Sequence, residues 1–476
     1  MSSIVIEVPE ELKSLGESLQ ELVAAVSARH RVLKNARGVS SYDAVEREVS
    51  AQLATVERSA HGHLLSALDV DAPQVKIDGK LYTQVLRSVG SYKTRAGAAP
   101  VERSLYREVG VRNGPTVDAV SLRAGVVGEG WLPETARAMA QLLQSVPSRE
   151  GKQIAQALGC LPYHRSSFDR VGHAVGEVLV EHEVMVIEAL SEKLELVEGA
   201  RSIAASVDRV SMPMEEPRSR PVGRPGKGAA KRPVARVYRM AYCGTVTVHD
   251  AQGDVLMTLR HAAMPEDGPD DMLYAMQQDV LALRGRKRLP LSLLADGASE
   301  MWELLDQTFN AQTIGVEPQR RVDFFHLVEK LAPAASVLSA CADEAQKLLK
   351  RWRANLLNVE GADERILGEL ERSGLEHARV AGEQPVHQAI TYLRNHRGMM
   401  SYAAARARGL PIGSGPIEAT CKTLVEVRMK RSGSRWKTPT GAHVIKLRAL
   451  ALSDRWHDAT DLTLATLRKT VRPLAA

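Results

Sequence analysis

Cysteine is scarce and scattered in this chain of 476 residues. Its four cysteines, Cys160, Cys243, Cys341 and Cys421, form no Cys-x-x-Cys pair. This spacing excludes a zinc-ribbon signature and a disulfide framework, because both need cysteines at short, regular intervals. We therefore expect a protein of a reducing, cytosolic compartment.

Long apolar runs are also missing. The sequence has no run of about 18 apolar residues, the length that a membrane-spanning helix needs. The first residues, MSSIVIEVPEELKSLG, are charged early and lack the apolar core of a signal peptide. We expect a cytoplasmic protein without a membrane partner.

A strong charge of either sign is absent as well. Lys and Arg together number 63 and Asp and Glu 57, which gives a net charge of +6 and a pI near 9.1. This mild excess permits a polyanionic partner but does not require one. The length suggests about three domains.

The N-terminal half changes in character along the chain. Residues 1–73 read as a helical segment, and its apolar positions from Leu12 to Val26 have helical spacing. That stripe packs either on its own domain or on a second copy of the chain. Residues 74–131 read as a small β-rich domain, with β-branched segments broken by Asp-Gly and Asn-Gly turns. Residues 132–206 read as helical.

A helix-turn-helix pattern lies within this helical part. Ser148 is suited to cap one helix and Gly159 to end it. A second helix starting near Pro162 carries Arg165 and Arg170, the arginines that would contact DNA. The alternative is a helical hairpin that serves packing only.

A basic linker is predicted at residues 207–233, where proline, glycine and charge disfavour a packed element. Pro217 to Arg236 contains seven basic residues and no acid. Its Gly-Arg-Pro core is similar to an AT-hook, which would place Arg220, Arg224 and Lys227 in a DNA minor groove. The alternative is a soluble basic tether.

The segment from residue 234 to 330 alternates strands and helices, which indicates an α/β layer. An apolar strand ends at Asp296-Gly297, and open α/β sheets bind ligands at such strand ends. Residues 331–408 then read as entirely helical.

The segment PIGSGPIEATCKTLVEVRMKRSGSRW, residues 411–436, begins another helix. Pro416 suits the first turn of a helix, and Gly415 or Ser414 suits its cap. Glu418 then lies near the third helical position, where it could simply close a capping box. Five basic residues and one acid follow between Lys422 and Arg435, so this stretch would also suit the path of a polyanion.

Together, these pieces resemble bacterial insertion-sequence transposases of the Kra-type branch of the DDE superfamily, whose catalytic domain is RNase H-like. The resemblance covers roughly residues 230–456. It is carried by Leu294-Ala-Asp296-Gly-Ala, by Asp323-Phe-Phe-His326, and by Gly413-Ser-Gly-Pro-Ile-Glu418-Ala-Thr-Cys-Lys422 with the trailing Arg-Met-Lys-Arg and Arg-Trp.

The resemblance implies a multidomain α/β and α+β protein. Its RNase H-like catalytic domain would comprise residues 234–330 and 409–456, with 331–408 as a helical insertion and 457–476 as a C-terminal tail. A helical and β-rich DNA-binding region would precede it. The implied location is the nucleoid of a bacterial cytoplasm, and the implied state is a homo-oligomer.

The resemblance also implies a site. Asp296 matches the second acid of a catalytic triad and Glu418 the third, while His326 would lie near the scissile phosphate or be structural. The family's first acid lies in the first strand, where this sequence has Tyr242-Cys243-Gly244-Thr245. Asp250, on the same predicted strand, is the candidate that completes the triad.

Clustered carboxylates repel each other unless a cation bridges them, and Mg²⁺ or Mn²⁺ is the expected cofactor. The expected activity is cleavage and transfer of double-stranded DNA at element ends and target. Expected DNA contacts are Arg165, Arg170, Arg220, Arg224, Lys227, Lys422, Arg428, Lys430, Arg431, Arg435 and Trp436. The alternatives are a catalytically inactive, domesticated DNA-binding protein and a plain metal-dependent nuclease.

Overall fold

The protein is described by a computed structural model that covers residues 7–36, 38, 42–217 and 234–474. The chain forms two compact units. Unit one contains the described parts of Met1–His182 and His457–Ala476, and unit two contains those of Glu183–Trp456. Each unit has one five-stranded sheet together with helices, which confirms a mixed α/β protein.

The strands are listed in chain order: β1 (Gln74–Ile77), β2 (Lys80–Thr94), β3 (Gly97–Glu108), β4 (Thr116–Asp118), β5 (Ser202–Pro217), β6 (Val234–His249), β7 (Val255–Ala263), β8 (Leu291–Ala295), β9 (Gln319–Val322) and β10 (Val471–Pro473).

The helices are listed in the same way: α1 (Lys13–Asn35), α2 (Tyr42–Ser66), α3 (Ala119–Ala124), α4 (Pro133–Ser145), α5 (Ser148–Ala157), α6 (Arg165–Glu181), α7 (Glu183–Glu192), α8 (Asp270–Arg286), α9 (Ser299–Thr308), α10 (Ala311–Ile314), α11 (Phe324–Leu338), α12 (Ala342–Asn358), α13 (Ala362–Arg372), α14 (Pro385–Asn395), α15 (Tyr402–Ala407), α16 (Gly415–Thr420), α17 (Val427–Met429), α18 (Thr438–Leu452) and α19 (Trp456–Ala465). A short 3₁₀ turn, Glu10–Leu12, precedes α1, and a π-helical turn, Cys421–Glu426, joins α16 to α17. Among the described residues, no helix is long and apolar enough to cross a membrane.

The sheet of unit one is antiparallel throughout, in the order β10-β1-β2-β3-β4. Its first hairpin turns at Asp78-Gly79, where both residues have positive φ, as a tight turn requires. The outer strand β10 comes from the end of the chain, and its Val471 packs with Val75 and Tyr106. The prediction of a mere tail at 457–476 is therefore wrong, because this segment supplies α19 and an edge strand.

Three helices of unit one, α4, α5 and α6, pack around Met139, Leu143, Phe168 and Val171, which are all buried. Gly172 lets α4 and α6 approach closely, because a Cβ there would lie 2.6 Å from Leu143 Cδ2. The predicted start of the second helix moves from Pro162 to Arg165, and Ser148 is the first helical residue instead of the cap.

The sheet of unit two has the order β7-β6-β5-β8-β9. Its central strand β5 runs parallel to β8, which runs parallel to β9, whereas β6 is antiparallel to both β5 and β7. The prediction of a linker beginning at residue 207 is wrong, since β5 extends to Pro217 and pairs with β6 along its length. For the same reason, the predicted helical region 132–206 ends in a strand.

Pro213 and Pro217 are tolerated in β5 because β8 pairs only with Ile203–Ser206. Beyond Ser206, this side of β5 is not bonded to β8, and a proline there removes no ladder hydrogen bond to that strand.

The helical block between β9 and α16 is present as predicted, in α11 to α15. Buried side chains of this block, such as Trp352, Ile366 and Tyr402, belong to the same apolar cluster as Ile203 of β5 and Leu293 of β8. The block therefore packs on the sheet and is held in a fixed position beside the strand ends.

We predict that removing β10 opens unit one locally. A chain truncated after Lys469 loses the pairing of β10 with β1 and the burial of Val471, a side chain worth about 1.5–3 kcal/mol when fully buried. Hydrogen exchange of the peptide covering Gln74–Ile77 should become much faster than in the full chain. A chain truncated after Leu474 is the control, and equal protection in both chains would contradict the structural role of β10.

Candidate functional site

Asp208 lies on the central strand β5 of unit two, two residues beyond its last pair with β8. Its carboxylate accepts a hydrogen bond from the backbone N–H of Arg209 at 2.6 Å. Burial raises the pKa of the Asp208 carboxyl, and the nearby charge of Asp296 raises it further. A central strand thus presents a partly desolvated acid.

Asp296 directly follows β8, whose five residues are all buried. Its Oδ1 accepts a hydrogen bond from the backbone N–H of Ala298 at 3.0 Å, which shapes the turn. Tyr392 of α14 donates its hydroxyl hydrogen to the carbonyl of Asp296 at 2.9 Å. The loop that carries this acid is therefore fixed to the helical block.

The parallel register brings these two acids together. Ser206 of β5 is paired with Leu294 of β8, so Asp208 and Asp296, each two residues further along, lie beside each other. Neighbouring strands are about 4.8 Å apart. The two carboxylates consequently belong to one cluster at the carboxyl end of the parallel strands.

Asp323 follows β9 and is fully buried, with 0% of its surface exposed. It caps α11 by accepting a hydrogen bond from the backbone N–H of His326 at 2.8 Å. It also accepts hydrogen bonds from the backbone N–H of Ser414 and, at 2.8 Å, from the Ser414 hydroxyl. Burial opposes ionisation, but His326 and Ser414 outweigh it and lower the pKa of Asp323 to about 2.

Glu418 lies in α16, directly after the loop that Asp323 holds. The capping-box explanation for Glu418 does not apply, because both the backbone N–H and the hydroxyl of the N-cap residue Ser414 donate to Asp323. The Glu418 side chain is about half exposed, at 53%. Burial by its neighbours raises the pKa of Glu418, and Asp323 and Asp208 raise it further while His326 lowers it.

His326 connects two of these acids. Its Nδ1 lies 3.4 Å from Asp323 Oδ1 and 3.7 Å from Glu418 Oε1. The ion pair with Asp323 raises the pKa of His326 to about 9 against the opposing effect of burial, and Asp296 contributes in the same direction. A protonated His326 is a cation at the edge of the acidic cluster, where it can contact a phosphate.

One set of these groups has metal-binding spacing: ligand atoms of Asp323, His326 and Glu418 lie within 4.8 Å of one another. Both oxygens of the Asp323 carboxylate already accept hydrogen bonds, however, and a protonated imidazole does not bind a metal. Asp208, Asp296 and Glu418 offer less encumbered carboxylate oxygens, which are the ligands that Mg²⁺ and Mn²⁺ prefer. We therefore regard Asp323 as the residue that positions Glu418.

The expectation that Asp250 lies beside Asp296 and Glu418 is corrected by the sheet register. On β6, Cys243 is paired with Asp208, whereas His249 is paired with Ser202, six positions away along β5. Asp250 follows His249 and is thus about 20 Å from Asp208 along the sheet. Its Oδ1 instead accepts hydrogen bonds from the backbone N–H groups of Gln252 and Asp254, at 2.8 and 2.9 Å, and so forms the hairpin turn.

Asp208 is the site residue that sequence reasoning missed. Ile203 to Val210 reads as an apolar strand with one acid, a signal that was present in the sequence. The prolines at 213 and 217 and the charges that follow are typical of a linker and hide this signal. The sequence pattern therefore indicates the hairpin of β6 and β7 as the first strands of the sheet.

The two buried cysteines of unit two adjoin Asp208. The Cys421 thiol lies 3.7 Å from Asp208 Oδ2, within the range of a weak S–H hydrogen bond. A hydrogen bond with Cys243, together with burial, raises the pKa of Cys421, so the neutral thiol is favoured beside the acid.

Three of the basic residues after Glu418 are buried or paired with acids of the protein. Arg428 is buried, at 3% exposure, with its guanidinium 5.1 Å from the centre of the Trp436 ring. Lys430 pairs with Glu426 at 2.9 Å and Arg435 with Glu215 at 3.4 Å. The prediction that Arg428 faces DNA is therefore corrected, because this arginine packs inside the segment.

The other residues predicted to contact DNA lie at the surface, partly buried, or outside the described residues. Lys422 is exposed, and Arg431 is half-buried. Arg165 and Arg170 are exposed on α6, where they line a shallow groove with Lys152 and His164. The predicted AT-hook residues Arg220, Arg224 and Lys227 lie outside the described residues.

No protein-family model matches this sequence, and a search of curated proteins found no match either.

We predict that Asp323 makes the free energy of unfolding of unit two depend on pH in the acidic range. Its pKa of about 2 lies below the value of about 3.9 in an unfolded chain, so its stabilisation is complete above pH 4 and is lost as the pH falls toward 2. The loss should be on the order of 2 kcal/mol for unit two.

Urea unfolding in EDTA at several pH values measures this effect. In Asp323→Asn, the stability near pH 6 should fall and its acid dependence should become shallower. Asp250→Asn is the control, because Asp250 bonds only within an exposed turn. An unchanged acid dependence in Asp323→Asn would contradict the assignment.

Proposed function

We propose that this protein is a DNA transposase of the DDE type, and that unit two is its RNase H-like catalytic domain. Asp208, Asp296 and Glu418 would be the three acids of its site. The activity would be metal-dependent cleavage and transfer of DNA strands. The position of Asp208 on the central strand, beside Asp296, is the observation that carries this proposal.

The strand arrangement supports the same domain class. Three antiparallel strands, β7, β6 and β5, continue into the parallel strands β8 and β9, and the helical block is inserted before the helix of Glu418. This is the order expected of an RNase H-like sheet with a helical insertion. The first acid expected from the family resemblance has a counterpart in Asp208 once β5 is counted as the first strand.

The donor set fits a hard divalent cation. Burial and the neighbouring carboxylates raise the pKa values of Asp208 and Glu418, which means that their negative charges are not balanced by the protein alone. Mg²⁺ or Mn²⁺ held by Asp208, Asp296 and Glu418 would supply activation of water or a 3′-hydroxyl and charge stabilisation at the phosphate.

The protein's own groups would complete the reaction. Asp323 and Ser414 hold Glu418 in place, and Tyr392 holds the loop of Asp296. His326 would donate a hydrogen bond to a phosphate oxygen, since its imidazole is cationic at neutral pH. Lys422, on the surface after Glu418, would contact the backbone of the same DNA.

A catalytically inactive DNA-binding descendant is the second candidate. Arg428 is buried, and Lys430 and Arg435 pair with Glu426 and Glu215, so less uncompensated positive charge follows Glu418 than the sequence suggests. Activity measurements on the acids separate the two candidates.

We predict that Asp208→Asn, Asp296→Asn and Glu418→Gln each lower strand cleavage at least about 100-fold, because each removes a charged metal ligand. The substrate is a donor plasmid that carries the DNA flanking this coding sequence, assayed with Mg²⁺ or Mn²⁺. Asp250→Asn should cleave at the wild-type rate and is the matched control. A wild-type protein that binds this DNA but never cuts it would favour the inactive descendant.

We predict that α6 contributes phosphate or base contacts through Arg165 and Arg170. The Arg165→Ala/Arg170→Ala protein should bind the same DNA more weakly, and its logarithmic salt dependence should become shallower by roughly 2. Arg112→Ala, which removes an exposed arginine elsewhere in unit one, is the control. Unchanged affinity and salt slope in the double variant would assign α5 and α6 to packing.

A further inference from the structure

A polar groove opens beside Asp296. One wall is the loop Asp296–Ala298, and the other is helix α14 with Gln388, Thr391 and Asn395. Tyr392 and His396, which also line the groove, tie the two walls together. The Tyr392 hydroxyl donates to the Asp296 carbonyl, and His396 Nε2 lies 3.0 Å from the Gly297 carbonyl oxygen. The groove is therefore held in a fixed place next to the acidic cluster.

Glycine is required at the centre of this wall. Gly297 has a φ of +106°, and a Cβ there would lie 2.9 Å from His396 Nε2. Any larger residue would strain the turn and push α14 away. The close approach of loop and helix, and with it the shape of the groove, depends on this position.

Three polar side chains of α14 are available for a ligand. Gln388, Thr391 and Asn395 are exposed, and in the described part of the chain their side chains have no hydrogen-bond partner. They are three and four residues apart, so they form one stripe on one face of the helix. Two of the three are primary amides, each with a donor and an acceptor.

The charge of the groove argues against a second phosphate as its occupant. Its lining carries the carboxylates of Asp296 and Glu383 as well as the cations of Lys330 and His326, so no cationic surface results. Amide side chains bind phosphate oxygens as well as base edges, but a lining without net positive charge disfavours a second phosphate and leaves the base edge as the better partner. The chemistry of the stripe fits a neutral, planar hydrogen-bonding group.

Building on the proposed function, we infer that this groove holds an unpaired nucleobase of the DNA strand whose phosphate lies at Asp208, Asp296 and Glu418. Gln388 and Asn395 would read the base edge, and Thr391 would contact the base or its sugar. A base can reach such a groove only when it leaves the duplex stack, which is easiest at a frayed or single-stranded end. The helical block would thus select DNA that is already open at the cut.

Fluorescence anisotropy with two DNA probes tests this inference. Both are duplexes of the flanking DNA, one blunt and one with a short unpaired arm, and Ca²⁺ replaces Mg²⁺ so that binding is measured without cleavage. The wild-type protein should prefer the armed duplex. Gln388→Ala/Asn395→Ala should bind the armed duplex about tenfold more weakly, because the amide–base hydrogen bonds are lost, and should bind the blunt duplex as before.

Gln346→Ala/Asn355→Ala is the matched control, since it removes two exposed amides from α12 of the same helical block, outside the groove. An arm with abasic sites adds a second test. On the abasic arm, the wild-type protein should lose its preference for the armed duplex. The Gln388→Ala/Asn395→Ala protein should bind the abasic arm about as well as the intact arm, because a double-mutant cycle gives this result when the two groups are in direct contact.

The outcomes separate the inference from the proposed function. A protein that cuts the donor plasmid but shows no preference for the armed duplex, or keeps its preference in the groove variant, would overturn the groove assignment alone. A preference that survives the abasic arm would also overturn it, because the groove would then not read a base. A protein that binds neither duplex would overturn both.

Discussion

The buried carboxylate of Asp323 is the interaction on which the candidate site depends. A buried charge is costly unless hydrogen bonds and ion pairs satisfy it. Here those partners come from the start of α11 and from Ser414. Burial of the Asp323 carboxylate with these hydrogen bonds therefore fixes the loop before Glu418. The backbone N–H of Asp323 donates to the carbonyl of Ala295 at 2.9 Å, which ties the same residue to the strand end that carries Asp296.

This arrangement assigns different tasks to acids that look alike in the sequence. Asp323 accepts three hydrogen bonds, from the backbone N–H of His326 and from the backbone N–H and hydroxyl of Ser414, and these make it a support for the loop before Glu418. Asp208, Asp296 and Glu418 keep freer oxygens and repel one another, which is the electrostatic state that a divalent ion relieves. Under the proposed function, Asp323, which accepts three hydrogen bonds, supports the site, and Asp208, Asp296 and Glu418 are the ligands.

The sequence predicted those parts of the site that local patterns encode. Asp296 follows a short, mostly apolar strand, and Glu418 follows a Gly-Pro helix start, so neighbouring residues identify both. Asp208 depends on strand pairing over long distances in the sequence, since its own partner in β6 is Cys243 and the nearby Ser206 pairs with Leu294 of β8. Local composition at Pro213 and Pro217 gave the opposite indication. The same limitation applies to β10, since three residues near the chain end form a strand only because β1 offers an edge.

The edge of β5 beyond Ser206, where β8 does not pair, is where the basic segment Lys422–Trp436 packs. Trp436 pairs there: its N–H donates to the Pro213 carbonyl at 3.0 Å, and its carbonyl accepts from the N–H of Glu215 at 2.8 Å. The segment after Glu418 thus returns to the strand that carries Asp208. In this turn Arg428 is buried against the Trp436 ring, and Arg435 pairs with Glu215. Part of the positive charge that suggests nucleic-acid binding in the sequence therefore holds the segment after Glu418 against β5, the strand that carries Asp208.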